Sequence, residues 1–246
     1  MRKLRKLAIV LGEPAYRSAL RHGVAAAVEH GRIPFPHQFR SVVDVGAGRG
    51  QFALVASCRF PEATLYCFEP LGEAREKLAA VTSSLRDVRI LDLALGSAGG
   101  TAELHVSHNL DSSSLFPMTP LHLTAFPGTE TKEGTTVSLA RLEEVLSRDE
   151  LFPPSLLKID AQGYELDVLR GAEQLLPSFA AALVECSFVE LYAGQALADE
   201  VTCFLCEHGF RLRGVFSVAQ DDDGRCLQAD MLFEHERPDR ADAEAA

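Results

Sequence analysis

A glycine-rich turn followed by an acidic residue is the first pattern in this sequence that indicates chemistry. Gly46, Gly48 and Gly50 follow a β-branched run at residues 41–45, and Glu69 ends the next strand-like segment. Glycines let the backbone approach a ligand closely, and the first N–H groups of the following helix face that ligand. An acidic side chain about 20 residues further on, at the tip of the next strand, suits a ribose diol. The pattern predicts a nucleoside-binding site.

A second acidic residue stands at the end of another apolar run. Asp160 directly follows residues 155–159, and Gly163 comes three positions later. This order places the carboxylate at the carboxyl end of a buried parallel strand, where open α/β sheets bind ligands. The alternative is that Asp160 only caps the following helix. Glu185, near the end of the next predicted strand, is a further candidate for acid–base chemistry.

Residues 107–134 form a long segment that is rich in Ser, Thr and Pro and carries His108 and His122. A segment of this length without secondary structure is usually functional or disordered. We predict that this segment forms a lid over a bound substrate, with Asp160 and Glu185 orienting a nucleophilic group of that substrate beneath it. Either histidine is a candidate base, and the alternative for each is an ordinary surface residue. Cys203 and Cys206 lack a second pair at zinc-site spacing, so we predict no metal site.

The remaining pattern predicts an α/β fold with a mostly parallel sheet and helices on both faces. Its last two strands, at residues 210–218 and 226–233, are joined by a link too short for a crossover helix, so they must form an antiparallel hairpin. Helices are predicted at residues 15–29, 52–59, 72–84, 137–147, 164–170 and 196–208, and the other strands at residues 41–45, 63–68, 88–93, 101–106, 155–160 and 179–186.

Composition restricts the class of protein. The 246 residues carry a net charge of −11, which argues against a nucleic-acid binder, and no apolar run is long enough to span a membrane. The six cysteines do not resemble a disulfide framework, so we predict a reducing, cytoplasmic compartment.

A basic start at residues 2–6 is either an exposed helix end or a contact to a membrane surface. We predict a helical extension at residues 1–40, the main domain at 41–236 and a frayed tail at 237–246.

The most specific string is LLKIDAQGYELDVLRGA at residues 156–172. Together with the glycine turn, CFEP at residues 67–70, DSSS at 111–114 and QAD at 228–230, it resembles the FkbM family of methyltransferases. The resemblance extends from about residue 42 to residue 233 and keeps the motifs in order. Many relatives carry Glu at the position of Gln162. The glutamine in this chain therefore removes one carboxylate from the predicted site.

This resemblance implies a Rossmann-like class I methyltransferase fold, with a seven-stranded sheet, and S-adenosylmethionine as cofactor. It implies that the glycines line the methionine portion, Glu69 holds the ribose, and Asp160 faces the sulfonium and the acceptor. The expected cofactor-binding residues are Asp44, Gly46, Ala47, Gly48, Gly50, Glu69, Pro70, Leu93, Ala94 and Asp160. The candidate catalytic residues are Asp160, Glu185 and His122.

The function that follows from the resemblance is O-methylation of a hydroxyl on a sugar or another small biosynthetic intermediate. The expected partner is a small-molecule acceptor, without nucleic acid or a membrane span, and a homo-oligomer is left open. The first alternative is a binding or scaffold protein that keeps the cofactor fold without turnover. A nicotinamide-dependent oxidoreductase is disfavoured, because Gly46-x-Gly48-x-Gly50 is not the G-x-G-x-x-G spacing of dinucleotide enzymes and the chain ends in a hairpin.

Overall fold

The computed structural model describes residues 9–236, so the basic start at residues 2–6 and the tail at 237–246 lie outside the described part. Ten strands lie within that part. In chain order they are β1 Ser41–Val45, β2 Thr64–Phe68, β3 Val88–Leu91, β4 Ala94–Leu95, β5 Gly100–Ser107, β6 Thr131–Ala140, β7 Ser155–Ile159, β8 Ala181–Ser187, β9 Phe210–Gln220 and β10 Cys226–His235.

Seven of these strands form one sheet in the order β3-β2-β1-β7-β8-β10-β9. The first five strands in that order pair in parallel, and β10 runs antiparallel to both β8 and β9. Every residue of β1, β2 and β7 is buried, as is typical of parallel strands covered on both faces. The predicted mostly parallel sheet with a terminal antiparallel hairpin is confirmed. The carboxyl ends of β1, β2 and β7 meet at one edge, which brings their following turns together.

Helices cover both faces of this sheet, as predicted. One face packs against Leu169 and Leu205, and the other against Phe52, Leu78 and the aromatic link that precedes β1. The α-helices are α1 Pro14–Leu20, α2 Gln51–Arg59, α3 Gly72–Thr82, α4 Pro120–Ala125, α5 Leu142–Val145, α6 Glu165–Arg170 and α7 Ala198–Glu207. No helix within residues 9–236 is long and apolar enough to cross a membrane.

A second, three-stranded sheet of order β4-β6-β5 corrects the predicted helix at residues 137–147. Residues 131–140 are a strand that pairs antiparallel with β5, and only Leu142–Val145 is helical. The partner strand supplies the backbone hydrogen bonds, and Val137 packs with Leu104 and Val106 in a small separate core. Residues 107–134 are therefore not one structureless loop, because they contain α4 and the start of β6.

The N-terminal helix is shorter than the predicted 15–29. It ends at Leu20, and Gly23 has a φ of +71°, a left-handed conformation that stops the helix. Beyond Gly23, Val24, Ala26 and Val28 are buried against α2. A single 3₁₀ turn at His30–Arg32 then leads into the link before β1. The segment from residue 23 to residue 30 is thereby held close to the start of α2.

Candidate active site

A cavity of about 460 Å³ lies at the carboxyl ends of β1, β2 and β7. This volume is within the range of small-ligand sites in proteins. Its walls include residues 25–27 of the N-terminal segment and residues 113–115 of the insertion between β5 and β6. Eight of the ten residues predicted to bind the cofactor line it, namely Gly46, Ala47, Gly48, Glu69, Pro70, Leu93, Ala94 and Asp160.

The glycine turn combines ligand access with close packing. Gly46 has a φ of +71°, and a Cβ there would overlap the backbone carbonyl oxygen of Asp160. Gly48 has a φ of +54° and lines the cavity, whereas Gly50 does not line it. A Cβ on Gly50 would lie 2.8 Å from Val81 Cγ2, so this glycine lets α2 and α3 pack together. The structure thus gives Gly50 a packing contact instead of the predicted place in the cavity wall.

Glu69 is buried at the tip of β2 with its carboxylate at the cavity. Its Oε2 accepts a hydrogen bond from the Gly48 N–H, and its Oε1 accepts one from the Leu71 N–H, both at 2.8 Å. Burial raises the pKa of this carboxyl to about 7, although the two backbone bonds favour the ionised form. Each carboxylate oxygen keeps a further lone pair, so the group can still accept hydrogen bonds from a diol.

A buried ammonium group organises the acidic side of the site. The Lys158 Nζ lies 3.3 Å from Asp44 Oδ1 and 3.4 Å from Asp160 Oδ2, and 5.7 Å from the centre of the Phe52 ring. Burial by itself lowers the pKa of Lys158, but the surrounding carboxylates of Asp160, Asp44 and Asp230 raise it above its usual value. Asp44 is 1% exposed and does not line the cavity. Asp44 thus contacts Lys158, and it does not stand in the cavity wall as predicted.

The two predicted strand-tip carboxylates are brought together by an amide. Gln162 Nε2 donates hydrogen bonds to Asp160 Oδ1 at 2.7 Å and to Glu185 Oε2 at 2.9 Å, while the Tyr192 hydroxyl donates to Gln162 Oε1 at 2.6 Å. Burial raises the pKa of Glu185 well above its usual value, and Asp160 and Asp230 add to the effect. Glu185 itself stands behind Gln162 and does not line the cavity.

The insertion between β5 and β6 contacts the glycine turn directly. Arg49 Nε donates to Asp111 Oδ1 at 3.0 Å, and Gln51 Nε2 donates to Asp111 Oδ2 at 2.9 Å. The Ser114 hydroxyl donates to the backbone oxygen of Gln162 at 2.6 Å. Leu110, Asp111 and residues 113–115 line the cavity, so the insertion forms part of its wall.

The predicted base His122 lies away from the cavity. It is 2% exposed, and its ring packs 4.8 Å from the Tyr192 ring and 5.2 Å from the Phe126 ring. Within the described residues neither ring nitrogen has a hydrogen-bond partner, and burial lowers the pKa of the imidazole. This packing gives His122 no route to a ligand in the cavity, and His108 does not line the cavity either. The structure gives no support to either histidine as a base.

Sequence reasoning missed Lys158 and His30, which both line the cavity. The only sequence signal for Lys158 is one charge inside the apolar string Leu-Leu-Lys-Ile. His30 lies in the N-terminal link and hydrogen-bonds through Nε2 to Asp230 Oδ2 at 2.8 Å. Asp230 lies opposite Glu185 in the antiparallel pairing of β10 with β8. Nothing near His30 in the sequence indicates this contact.

The seven-stranded sheet, the terminal hairpin and a cavity at the strand tips together define a class I methyltransferase fold. A family model described as the methyltransferase FkbM domain matches residues 44–212, which is more than half of the chain. The chain belongs to the FkbM methyltransferase family, as the sequence motifs indicated.

Three curated relatives are also methyltransferases. The chain is 27% identical over 160 residues to the 2-O-methyltransferase NoeI of Sinorhizobium fredii, covering 63% of this chain and 66% of that protein. It is 29% identical over 194 residues to the methyltransferase sdnD of Sordaria araneosa, covering 69% and 73%. It is 25% identical over 164 residues to the hexuronic acid methyltransferase AglP of Haloferax volcanii, covering 67% and 60%. The chain thus spans slightly less than two thirds of the length of NoeI and AglP.

Among solved structures, the chain is similar to a methyltransferase FkbM from Methylobacillus flagellatus. The TM-score is 0.53 at 12% sequence identity, and the match covers 95% of this chain and 59% of that chain. At this identity the likeness concerns the fold alone.

Proposed function

We propose that this methyltransferase uses S-adenosylmethionine to methylate a hydroxyl oxygen on a sugar or another small biosynthetic intermediate. The observation that carries the proposal is that Glu69, at the tip of β2, and Asp160, at the tip of β7, face the same cavity. One wall therefore suits a ribose, while the opposite wall carries groups that bind a hydroxyl.

The residues of the cavity fit this cofactor. Gly46 and Gly48 leave the turn after β1 open to a ligand, and Glu69 presents a carboxylate with free lone pairs to a ribose diol. Leu93 and Ala94 supply apolar surface for a base ring, and Asp160 stands at the opposite wall. When bound, S-adenosylmethionine would supply a methyl carbon made reactive by a positively charged sulfur, and transfer to a hydroxyl would release S-adenosylhomocysteine and the hydroxyl proton.

The chain's own residues must then align the acceptor and exclude water, because alignment is the largest contribution such a displacement needs. Asp160 accepts hydrogen bonds at the cavity wall, and its orientation is held by Lys158 Nζ and Gln162 Nε2. The contacts of Asp111 with Arg49 and Gln51 hold the insertion over the glycine turn. We propose that this insertion is the acceptor lid.

A hydroxylated acceptor is supported by the polarity of this wall and by the relatives. Carboxylates and amides are the groups that proteins use to hydrogen-bond hydroxyls. The name of NoeI specifies 2-O-methylation, and that of AglP specifies a hexuronic acid. The net charge of −11 disfavours a nucleic-acid acceptor, since binding to a phosphate backbone depends on basic residues.

Replacing Glu69 with alanine should weaken S-adenosylhomocysteine binding about tenfold to a hundredfold, since hydrogen bonds to a charged group contribute about 1.5–3 kcal/mol. Glu69→Gln should lose less, because the amide keeps one acceptor oxygen. Because burial raises the pKa of Glu69 to about 7, the carboxylate forms as pH rises through that value. Wild-type affinity should therefore increase between about pH 6 and pH 8, and this pH dependence should be absent in Glu69→Gln.

Isothermal titration calorimetry with S-adenosylhomocysteine tests both the loss of affinity in Glu69→Ala and the pH dependence of the wild-type affinity. Glu73→Ala is the matched control, because Glu73 is an exposed glutamate on α3 that pairs with Lys77 and does not line the cavity. It should bind as the wild type does. Unchanged affinity in folded Glu69→Ala would show that Glu69 only supports the turn through Gly48 and Leu71. Tight binding of NAD without binding of S-adenosylmethionine or S-adenosylhomocysteine would refute the proposed function in favour of an oxidoreductase.

A further inference from the structure

His30 lines the cavity although it comes from the N-terminal segment, outside the family-matched residues 44–212. Its ring stands edge-on to Phe52, with 5.5 Å between ring centres. Its Nε2 lies 2.8 Å from Asp230 Oδ2, and the side chain is 13% exposed. The imidazole is thus fixed on one side by a carboxylate and on the other by an aromatic ring.

This contact sets the tautomer of the imidazole. Burial alone would raise the pKa of Asp230, but hydrogen bonds from His30 and Ser217 and the charges around it, including that of Lys158, together lower it, so Asp230 is ionised and can only accept. Nε2 must therefore carry the proton, and in the neutral ring Nδ1 then holds a lone pair. Within residues 9–236, Nδ1 is buried and has no hydrogen-bond partner. A histidine held by a carboxylate, with its other nitrogen free, is the arrangement of a general base.

We propose that His30 is the general base of the methyl transfer and that Asp230 is its positioning residue. The proposal rests on the proposed function, because it requires an acceptor hydroxyl. As the oxygen bonds to the methyl carbon and the carbon–sulfur bond breaks, His30 Nδ1 takes the hydroxyl proton. The resulting imidazolium is stabilised by Asp230 and later releases the proton to water.

The other groups at this face are less suited to take the proton. Asp160 is already engaged by Lys158 Nζ and Gln162 Nε2, and Glu185 by Gln162 and Gln228. The charged and titratable groups around His30 include Asp44 on β1, Lys158 and Asp160 around the tip of β7, Glu185 on β8, Asp230 on β10, its own neighbours Glu29 and Arg32, and the cavity residues Arg49, Glu69 and Asp111. Asp230, whose Oδ2 lies 2.8 Å from Nε2, is the carboxylate placed to pair with an imidazolium at His30.

Kinetics of the full chain give the first test, with the hydroxylated compound of highest wild-type rate as acceptor. His30→Gln should lower kcat about 100- to 10,000-fold, the usual contribution of a general base. Its affinity for S-adenosylhomocysteine should stay within about threefold of the wild-type affinity, because His30 is not expected to bind the cofactor. Wild-type kcat should fall at acid pH as the imidazole becomes protonated, and this limb should be missing in His30→Gln. Asp230→Asn should lower kcat less and shift the limb.

His37→Gln is the matched control. His37 lies in the same N-terminal link and its Nε2 is 3.9 Å from Glu234 of the same strand β10, but it does not line the cavity. Its kcat and pH profile should equal those of the wild type. Wild-type kcat in His30→Gln, or an equal loss of S-adenosylhomocysteine binding in that variant, would overturn the assignment of His30 as the base.

The tautomer provides a second test that needs no acceptor. Nitrogen-15 NMR of the protein saturated with S-adenosylhomocysteine should show His30, identified by its absence in His30→Gln, with a proton on Nε2 and none on Nδ1 near pH 8. A proton on Nδ1 would overturn the proposal whatever the activity. If calorimetry shows NAD binding and no binding of S-adenosylhomocysteine, the proposed function fails and the proposal falls with it. If S-adenosylhomocysteine binds and Nδ1 is protonated, only the base assignment fails.

Discussion

Replacing Lys158 with methionine should destabilise the protein by about 3–5 kcal/mol, because breaking a buried ion pair leaves its partner charge unpaired. The partner is Asp44, which is 1% exposed and lies between β2 and β7 in the centre of the sheet. Methionine fills a similar volume, so the loss of stability results from the missing charge and not from a cavity. The difference in free energy of unfolding between wild type and variant, from urea titration, measures this loss.

The pH dependence of this loss has a defined sign. Burial raises the pKa of Asp44 even in the presence of Lys158, and removing the ammonium raises it further. A folded state that holds a proton which the unfolded chain has released loses stability as pH rises. Wild type and variant both lose stability up to the raised pKa of Asp44 in the wild type, and the destabilisation of Lys158→Met should grow only as pH rises above that pKa.

Two further variants separate charge from packing. Lys77→Met removes a more exposed lysine that pairs with Glu73 on α3, and its effect should stay within about 0.5 kcal/mol. Adding Asp44→Asn to Lys158→Met should recover most of the lost stability, because no buried charge then lacks a partner. A loss below about 1 kcal/mol in Lys158→Met would show that water or other donors already satisfy Asp44.

Gly46→Ala should cost about 2–5 kcal/mol of stability and abolish measurable S-adenosylhomocysteine binding. The left-handed backbone at this position costs an alanine about 1–2 kcal/mol. The new Cβ would also overlap the carbonyl oxygen of Asp160, a backbone atom that cannot rotate away, and such overpacking costs about 1–3 kcal/mol. Moving β1 away from β7 to relieve the overlap would displace both strand tips that form the cavity.

Gly224→Ala separates these two contributions. Gly224 has a φ of +81° in the β9–β10 turn, and a Cβ there would meet nothing within 4 Å. It should lose only about 1–2 kcal/mol, the conformational part, and bind S-adenosylhomocysteine normally. If Gly46→Ala and Gly224→Ala show equal losses of stability, the overlap of a Cβ at residue 46 with the Asp160 backbone makes no measurable contribution, and this explanation of Gly46 is wrong.

The strand-tip residues were predictable because their signals are local. The run that ends in Glu69 and the run that ends in Asp160 each read as a buried strand followed by a turn, and parallel strands place such turns at one edge. The hairpin of β9 and β10 was predictable for the same reason, since the length of its link excludes a crossover. The structure confirms these elements.

What sequence reasoning missed depends on contacts between distant parts of the chain. Residues 137–140 were predicted as helix, but they belong to β6 and pair with β5. Even the nearest paired residues of these two strands, Ser107 and Thr131, are 24 positions apart in the sequence. His30 lines the cavity and hydrogen-bonds to Asp230, 200 positions away. Glu185 was predicted to reach the acceptor, yet the amide of Gln162 stands between it and the cavity. No local pattern encodes these pairings.

Transfer of a carbon-13 methyl group from S-adenosylmethionine, followed by NMR of the product, tests the central claim most directly. Wild-type protein would be incubated with hexuronic acids, other sugars and hydroxylated natural products, with Glu69→Ala at the same cofactor concentration as the comparison. The expected result is one labelled methyl ether on an oxygen of a small acceptor, formed faster by the wild type than by Glu69→Ala. A label on nitrogen, or no labelled product from a protein that binds S-adenosylhomocysteine, would contradict the account.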